Sequence, residues 1–241
     1  LEFLVGEDRE PCFLEMNTRL QVEHGVTELV AGVDIVREQF RIAAGRPLSP
    51  EVVAAGERAS TPSSHAIEVR IAAEDPARAF APTPGRVGRW VMPSGPGVRV
   101  DTHIEAGERV PADYDNLIAK VMVHAHDRGA AIDRLRRALD ETEIGGVQTT
   151  LPFHRFVARS EAFRAGVLST GWVDQYWDGD AARVEALGKA LLAVGLASIA
   201  DQPVVAGHGA TTPGDGGATP SRSPNGWRRG GRSQGVDRWP S

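Results

Sequence analysis

Residues 13–28, FLEMNTRLQVEHGVTE, constrain this chain more than any other stretch. Polar residues fall on odd positions (Glu15, Asn17, Arg19, Gln21, Glu23), while Leu14, Met16, Leu20 and Val22 take even ones. In an extended strand successive side chains point to opposite faces, so the alternation predicts a strand with one polar face and apolar residues packed behind it. A solvent-washed strand would alternate in the same way. The chemistry of the face is narrower than solvation requires, because it carries two carboxylates, two amides and a guanidinium without Lys, Ser or Thr. Such a set can hold a hard cation and an anion together.

Distance divides the face into two neighbouring subsites. At ~3.3 Å per residue, Glu15 to Asn17 spans about 7 Å and Glu15 to Glu23 about 26 Å, so one ion cannot reach both ends. Glu15 and Asn17 offer oxygens suited to Mg²⁺, which takes one or two carboxylates and completes its octahedron with water and phosphate. Arg19, Gln21 and Glu23 lie further along, where a guanidinium could grip an oxyanion and a carboxylate could deprotonate it. The short polar segment 6–11 separates runs 1–5 and 12–16, a hairpin-like arrangement that brings Glu2 beside Glu15.

These residues also carry a resemblance. EMNTRLQVEH followed by VTE resembles the signature near the end of the ATP-grasp domain of biotin carboxylases, the ATP-dependent component of acetyl-CoA, propionyl-CoA and related carboxylases. LEFL at the start resembles the preceding strand of that family. HAIEVRIAAED, the run at 86–90, YDNLIAKV and IGGVQTTLPF resemble its C-terminal domain in order and spacing. The match covers roughly residues 1–175 in several separate blocks. One departure is Gly25, where the family usually has Pro, a change expected to loosen the turn after Glu23 and His24.

The resemblance implies roles residue by residue. Glu2, Glu15 and Asn17 would hold the Mg²⁺ (or Mn²⁺) ions that bridge the ATP phosphates. Arg19, Gln21, Val22, Glu23 and Arg70 would surround bicarbonate and the ureido ring of biotin. Glu23 would be the general base that deprotonates bicarbonate for attack on the γ-phosphate, Arg19 would stabilise the biotin enolate, and Arg70 would hold the bicarbonate or carboxyphosphate anion. This division suits phosphoryl transfer, which needs positive charge around developing negative charge more than a covalent protein nucleophile. Implied partners are a biotin carboxyl carrier protein or domain, a second copy of the enzyme and a carboxyltransferase subunit. The carrier must be a separate segment, because neither of the two lysines, Lys120 and Lys189, sits between methionines as a biotinylated lysine usually does.

The implied fold class is α+β: the end of an ATP-grasp domain over 1–47, a connector at 48–64 and a C-terminal domain of antiparallel sheet with helices over 65–175. A helix at 176–200 and a disordered tail at 201–241 would follow. Asp34 is a helix N-cap, with Val36, Phe40 and Ala43 as the apolar stripe of a helix that buttresses the Glu15 strand and Gly45 as its stop. Strands are expected at 65–71, 86–92, 98–101 and 117–124. In the first, Glu68 and Arg70 share the face opposite Ile67, Val69 and Ile71. Asp127 caps a helix to about Thr142 with Ile132, Leu135 and Leu139 inward, and Thr150 and Ser160 start shorter ones. Val184, Leu187, Leu191 and Val194 recur at helical spacing as a packing or partner face over 181–200. The tail is rich in Gly, Pro, Ser, Thr and Arg with little apolar content to offset ordering entropy.

Other features narrow the class. A net charge of −5 argues against a nucleic-acid surface, and no apolar run approaches ~20 residues, so no membrane span is expected. The single cysteine, Cys12, cannot form an internal disulfide, which suits a reducing cytoplasm, and reads as a core or strand residue. His124 and His126 could share a strand face as a metal pair, although no third ligand stands at a recognisable spacing. Tyr114 and Asp115 are expected to organise the turn before their strand.

In the family an N-terminal domain and most of the ATP-grasp domain precede these blocks, with a glycine-rich phosphate loop and nucleotide-binding lysines. No glycine-rich loop followed by a lysine occurs here. The expectation is therefore a C-terminal piece of a ligase that is inactive by itself. The alternatives are a noncatalytic binding or assembly module on the same sheet, or the biotin carboxylase region of a pyruvate carboxylase.

Overall fold

The first two strands pair as an antiparallel hairpin, β1 (Glu2–Val5) on β2 (Pro11–Glu15), with Glu2 opposite Glu15 and a register shift between Glu2 and Phe3. The structure, a computed structural model, describes residues 1–6 and 8–200. Leu1–Val194 form one compact unit. The expected disordered tail lies outside the described residues.

The predicted strand stops at Glu15. Residues 16–21 are irregular, 22 and 23 form a turn, and α1 (His24–Ala31) follows, so Arg19, Gln21 and Glu23 are not on a strand with Glu15. The helix is held at its start by hydrogen bonds from the His24 and Val26 amides to the Gln21 and Glu23 carbonyls, at 3.3 and 3.1 Å. It ends on Gly32, whose φ of 69° is left-handed and cheap only for glycine. The apolar face of the hairpin is not packed behind the polar one. Leu14 and Met16 are 54% and 59% exposed, Cys12 is exposed on β2 rather than in a core, and Phe3 stacks edge-on against Phe13.

Asp34 caps α2 (Ile35–Ala43) by accepting from the Arg37 amide at 2.8 Å, and Gly45 stops it with a φ of 73°. Its expected apolar stripe is wrong, because Phe40 is 75% exposed and Ala43 is exposed, so this face does not buttress β2. The helix buries Glu38 instead, which accepts from the Ser49 amide at 2.9 Å and pairs with Arg41 at 3.3 Å. Most of the expected connector at 48–64 is α3 (Pro50–Arg58), because Ser49 caps the Val52 amide and Pro50 sits at the first helical position, where its missing N–H costs nothing.

The centre of the unit is a three-stranded antiparallel sheet in the order β3 (His65–Ala72), β5 (Leu117–Ala125), β4 (Val98–Thr102). The expected strand at 86–92 is broken into two two-residue ladders. Gly85–Arg86 pairs with Arg109–Val110, and Trp90–Val91 pairs with Glu143–Ile144. One sheet face is apolar. Ile67, Ile71, Val121 and Val123 pack there against α4 (Arg128–Glu141), from which Ile132, Leu135 and Leu139 are fully or almost fully buried. Asp127 caps α4 by accepting from the Ala130 amide at 2.7 Å. Then come α5 (Leu151–Arg159), α6 (Glu161–Ala165), α7 (Trp172–Tyr176) and α8 (Gly179–Ala200). On α8, Val184, Leu187 and Leu191 are 71%, 59% and 64% exposed, so their row is not a buried packing face. Among the described residues no helix is long and apolar enough to cross a membrane.

Candidate functional site

The other sheet face is charged, and α1 packs over it. Register places Arg70, Lys120 and Asp101 in one row across the three strands, and Glu68, Met122 and Arg99 in the next. A continuous polar row is stable under a helix only if its charges are paired, and here most are. Arg99 forks onto Asp101 at 2.8 and 2.9 Å and reaches Glu28 of α1 at 2.7 Å. Glu28 also accepts from the Ile35 amide at 2.8 Å, which ties the end of α1 to the start of α2. Burial pushes Asp101 up, but the Arg99 fork and Lys120 outweigh it and hold the carboxyl below its ordinary value. The Asp101 and Glu28 hydrogen bonds raise Arg99 further still, so it stays charged.

Above this row sits the turn that enters α1. Glu23 meets Arg70 there, with the guanidinium donating to the carboxylate at 2.8 Å. The Lys120 ammonium donates to the Val22 carbonyl at 2.9 Å. The His24 ring nitrogen Nδ1 lies 2.7 Å from the Gln21 carbonyl, which can only accept, so Nδ1 carries the hydrogen. Gln21 and Val22 are half-buried, and Glu23 and Arg19 are exposed. Arg19 is turned aside and donates to its neighbour's carbonyl, that of Leu20, at 3.3 Å. Of the predicted anion-handling residues, the fold thus gathers Gln21, Val22, Glu23 and Arg70 at one place, with the Arg19 guanidinium bonded to the Leu20 carbonyl instead.

Arg70 is held from behind. Its carbonyl accepts from the Thr150 hydroxyl at 3.0 Å and from His154 Nε2 at 2.8 Å, and Thr150 also accepts from the Ala72 amide at 3.1 Å. Burial lowers His154 below the ordinary histidine value, and the Arg70 carbonyl only partly opposes this. The neutral ring with hydrogen on Nε2 is therefore the form that fits.

The metal subsite is a separate cluster. Asn17 Nδ2 donates to Glu2 Oε1 at 2.7 Å and to Glu15 Oε1 at 3.4 Å, so the three predicted metal-binding side chains converge at the end of the hairpin. Two carboxylates and an amide fit the donor set Mg²⁺ accepts, provided the amide turns over to offer its oxygen in place of its nitrogen. Among the described residues no group of three or more His, Cys, Asp or Glu side chains is placed to hold a metal, and the two histidines belong to no such group. His126 lies 3.0 Å from Asp127 instead. Asp115 organises its turn as expected, accepting from the Leu117 amide at 2.8 Å, while Tyr114 is exposed.

Sequence reasoning missed Lys120, Glu68, Asp101, Arg99, Glu28 and His154. A signal was present for the first two, since a lone Lys in LIAKVMV and a lone Glu in HAIEV sit inside otherwise apolar strands, where an ionised group needs a partner.

The chain matches two family models: the biotin carboxylase C-terminal domain over residues 68–175, and the ATP-binding domain of the carbamoyl-phosphate synthase L chain over 1–51. It is 48% identical over 164 residues to one subunit of the pyruvate carboxylase of Methanothermobacter thermautotrophicus, covering 68% of this chain and 32% of that one. It is 45% identical over 178 residues to the biotin carboxylase of Nostoc sp., covering 73% and 38% respectively. Among solved structures it superposes on the biotin carboxylase domain of the Hydrogenobacter thermophilus 2-oxoglutarate carboxylase, a dimer with MgADP and bicarbonate. That match has a TM-score of 0.65 at 40% identity and covers 72% of this chain and 37% of that one. The chain therefore spans about a third of the length of the relatives it matches.

Proposed function

The chain belongs to the biotin carboxylase family, and from that premise we propose that it contributes the bicarbonate-handling half of a site that carboxylates biotin at the expense of MgATP. The observation that carries this reading is the contact between Glu23 and Arg70, a base and an anion-holding cation brought together from separate segments. In the absence of substrate the two neutralise each other. Bicarbonate inserted between them would keep both satisfied, its oxygens on the Arg70 guanidinium and its proton moving to Glu23, which leaves a carbonate oxygen free to attack the γ-phosphate of ATP. The attack forms the O–P bond of carboxyphosphate and expels ADP.

Gln21 and the Val22 backbone line the same turn and would orient the anion. Arg19, exposed and donating to a neighbouring carbonyl, would turn to meet the biotin enolate. Glu2, Glu15 and Asn17 would hold Mg²⁺, which when bound neutralises charge on the ATP phosphates. On this reading the biotin rides on a separate carrier, and the carboxyl passes to an acceptor chosen by a carboxyltransferase subunit. Acetyl-CoA, propionyl-CoA and the 2-oxo acids in the relatives' names are the acceptor classes to test. A homodimer in the cytoplasm completes the reading.

The nucleotide-binding portion present in the relatives would have to be supplied alongside these residues. The test is ATP hydrolysis with free biotin and bicarbonate, by this chain alone and mixed with the N-terminal two thirds of a relative. Activity in the mixture only is expected. Silence in both would favour a noncatalytic assembly module instead.

A further inference from the structure

We propose that Lys120 is a positioning residue for the Glu23–Arg70 pair, its ammonium pinning the Val22 carbonyl so that the turn into α1 holds Glu23 against Arg70. The proposal rests on the bicarbonate reading above and adds to it the group that keeps the base in place. Three observations carry it. The Lys120–Val22 hydrogen bond joins residues 98 apart, tying the middle of the central strand to the turn itself. Lys120 is the cross-strand neighbour of Arg70, so one sheet row carries both the guanidinium and the clamp. The Lys120 side chain is only 12% exposed, and a buried ammonium persists only where its charge is answered. Asp101 at 3.4 Å and Glu68 at 4.0 Å answer it.

Glu68 deepens the case. Its side chain is 5% exposed, and among the described residues neither carboxylate oxygen has a hydrogen-bond partner. A carboxylate left without hydrogen bonds under a helix is costly, and nearby cations offset part of that cost. The cations facing it are Lys120 and Arg70, with His24 on the helix above and the like charge of Glu23 beyond. Glu68 thus biases both cations toward the sheet, beneath the turn they hold.

Without the clamp, the turn keeps its local bonds, from the His24 amide and ring to the Gln21 carbonyl and from the Val26 amide to Glu23, none of which ties it to the sheet. Glu23 and Arg70 are both about half exposed, and a surface pair of that kind does not hold a loop by itself.

The experiment is amide exchange and bicarbonate titration by NMR on the 241-residue chain, comparing wild type, Lys120→Met, Lys120→Gln and Arg70→Ala. The Val121 and Val123 amides report whether the core stays folded. In Lys120→Met, exchange at His24 and Val26 should accelerate about tenfold or more, the size expected when a charge-assisted hydrogen bond is lost, with the core amides unchanged. The bicarbonate response at the Arg70 side chain should weaken by a similar factor. Lys120→Gln stays polar but is too short to reach Val22, so it should behave in the same way if the methionine variant does not fold. If wild type responds to bicarbonate, Arg70→Ala does not, and the Lys120 variants match wild type, the positioning proposal is wrong and the functional reading stands. If wild type itself shows no response, the functional reading fails and the proposal goes with it.

Discussion

The Arg70 guanidinium lies 2.8 Å from the Glu23 carboxylate across 47 residues of chain, with the two side chains 54% and 51% exposed. An ion pair that open to water contributes about 0–1 kcal/mol to stability. Arg70→Ala and Glu23→Gln should therefore lower the unfolding free energy by no more than that, as measured by chemical denaturation, while removing the bicarbonate response. A large loss of stability in either variant would make the pair a structural bond and weaken its assignment to chemistry.

Burial raises the Glu68 carboxyl above its ordinary value of 4.5, with Lys120 and Arg70 opposing the shift and Glu23 adding to it. A raised carboxyl means that the native state binds more protons than the unfolded chain between those two values. Stability from this group therefore falls as pH rises through that window, and the full penalty stands above it. Glu68→Gln removes the titration. Its stability relative to wild type should rise as pH climbs from 4.5 and level off once the raised carboxyl has ionised. Chemical denaturation at a series of pH values measures this, and a difference that does not change with pH would contradict it.

His154 carries the opposite sign. Its ring is held below 6.5 by burial, so the fold prefers the neutral form that donates to the Arg70 carbonyl. That contribution is complete above the ordinary histidine value and is lost as pH falls below 6.5 toward the depressed one. His65 is lowered too, by burial and then by Arg128, and titrates in the same direction. The comparison must therefore be made with His154→Gln, which keeps an N–H donor without a proton to gain. Its stability should decline less steeply than wild type's as pH falls from about 7 to about 5, and equal slopes would mean that His154 takes up no proton on unfolding.

The hairpin cluster makes a separate prediction about metal. Mn²⁺ can replace Mg²⁺ at oxygen sites and broadens nearby NMR signals. In wild type it should broaden the Asn17 side-chain amide, which sits between Glu2 and Glu15. Glu2→Gln and Glu15→Gln should each weaken that effect, because removing one of two carboxylates removes half the charge of the site. Broadening that survives both substitutions together would place the metal elsewhere.

How much of this was legible depends on what each residue answers to. Local chemistry wrote the caps: Asp34, Asp127 and Ser160 are N-caps, each accepting from an amide in the first turn of its helix. The Glu2–Glu15 pairing was likewise readable, since a short polar segment between two apolar runs leaves few ways to fold. The strand through Glu23 was not, because period-two alternation in 13–23 persists through a loop and a turn where nothing in the pattern changes. Ser49 and Pro50 look like breakers in the sequence, yet together they start a helix, and Phe40 looks like core although the buried side of α2 is chosen by Glu38 and its partners. The charged row of Arg70, Lys120 and Asp101 depends on the register of three strands far apart in sequence, and a single sequence does not state that register.

Gly25, expected to loosen the turn where the family usually has Pro, has a different meaning in the structure. It is buried in the first turn of α1, and a Cβ placed on it would collide with the sulfur of Met122, which is fully buried on the central strand. Met122 therefore occupies the space that a side chain at position 25 would need. Gly25→Ala gains up to ~1 kcal/mol of helix propensity, but overpacking a closed site costs about 1–3 kcal/mol, so the variant should be less stable than wild type. Met122→Ala alone leaves a cavity and should cost about 2–5 kcal/mol. The double variant should be more stable than the sum of the two changes predicts, because each relieves the defect of the other, and a double-mutant cycle measures that coupling. Simple additivity would mean that Met122 yields freely and that the glycine answers to something other than the methionine beneath it.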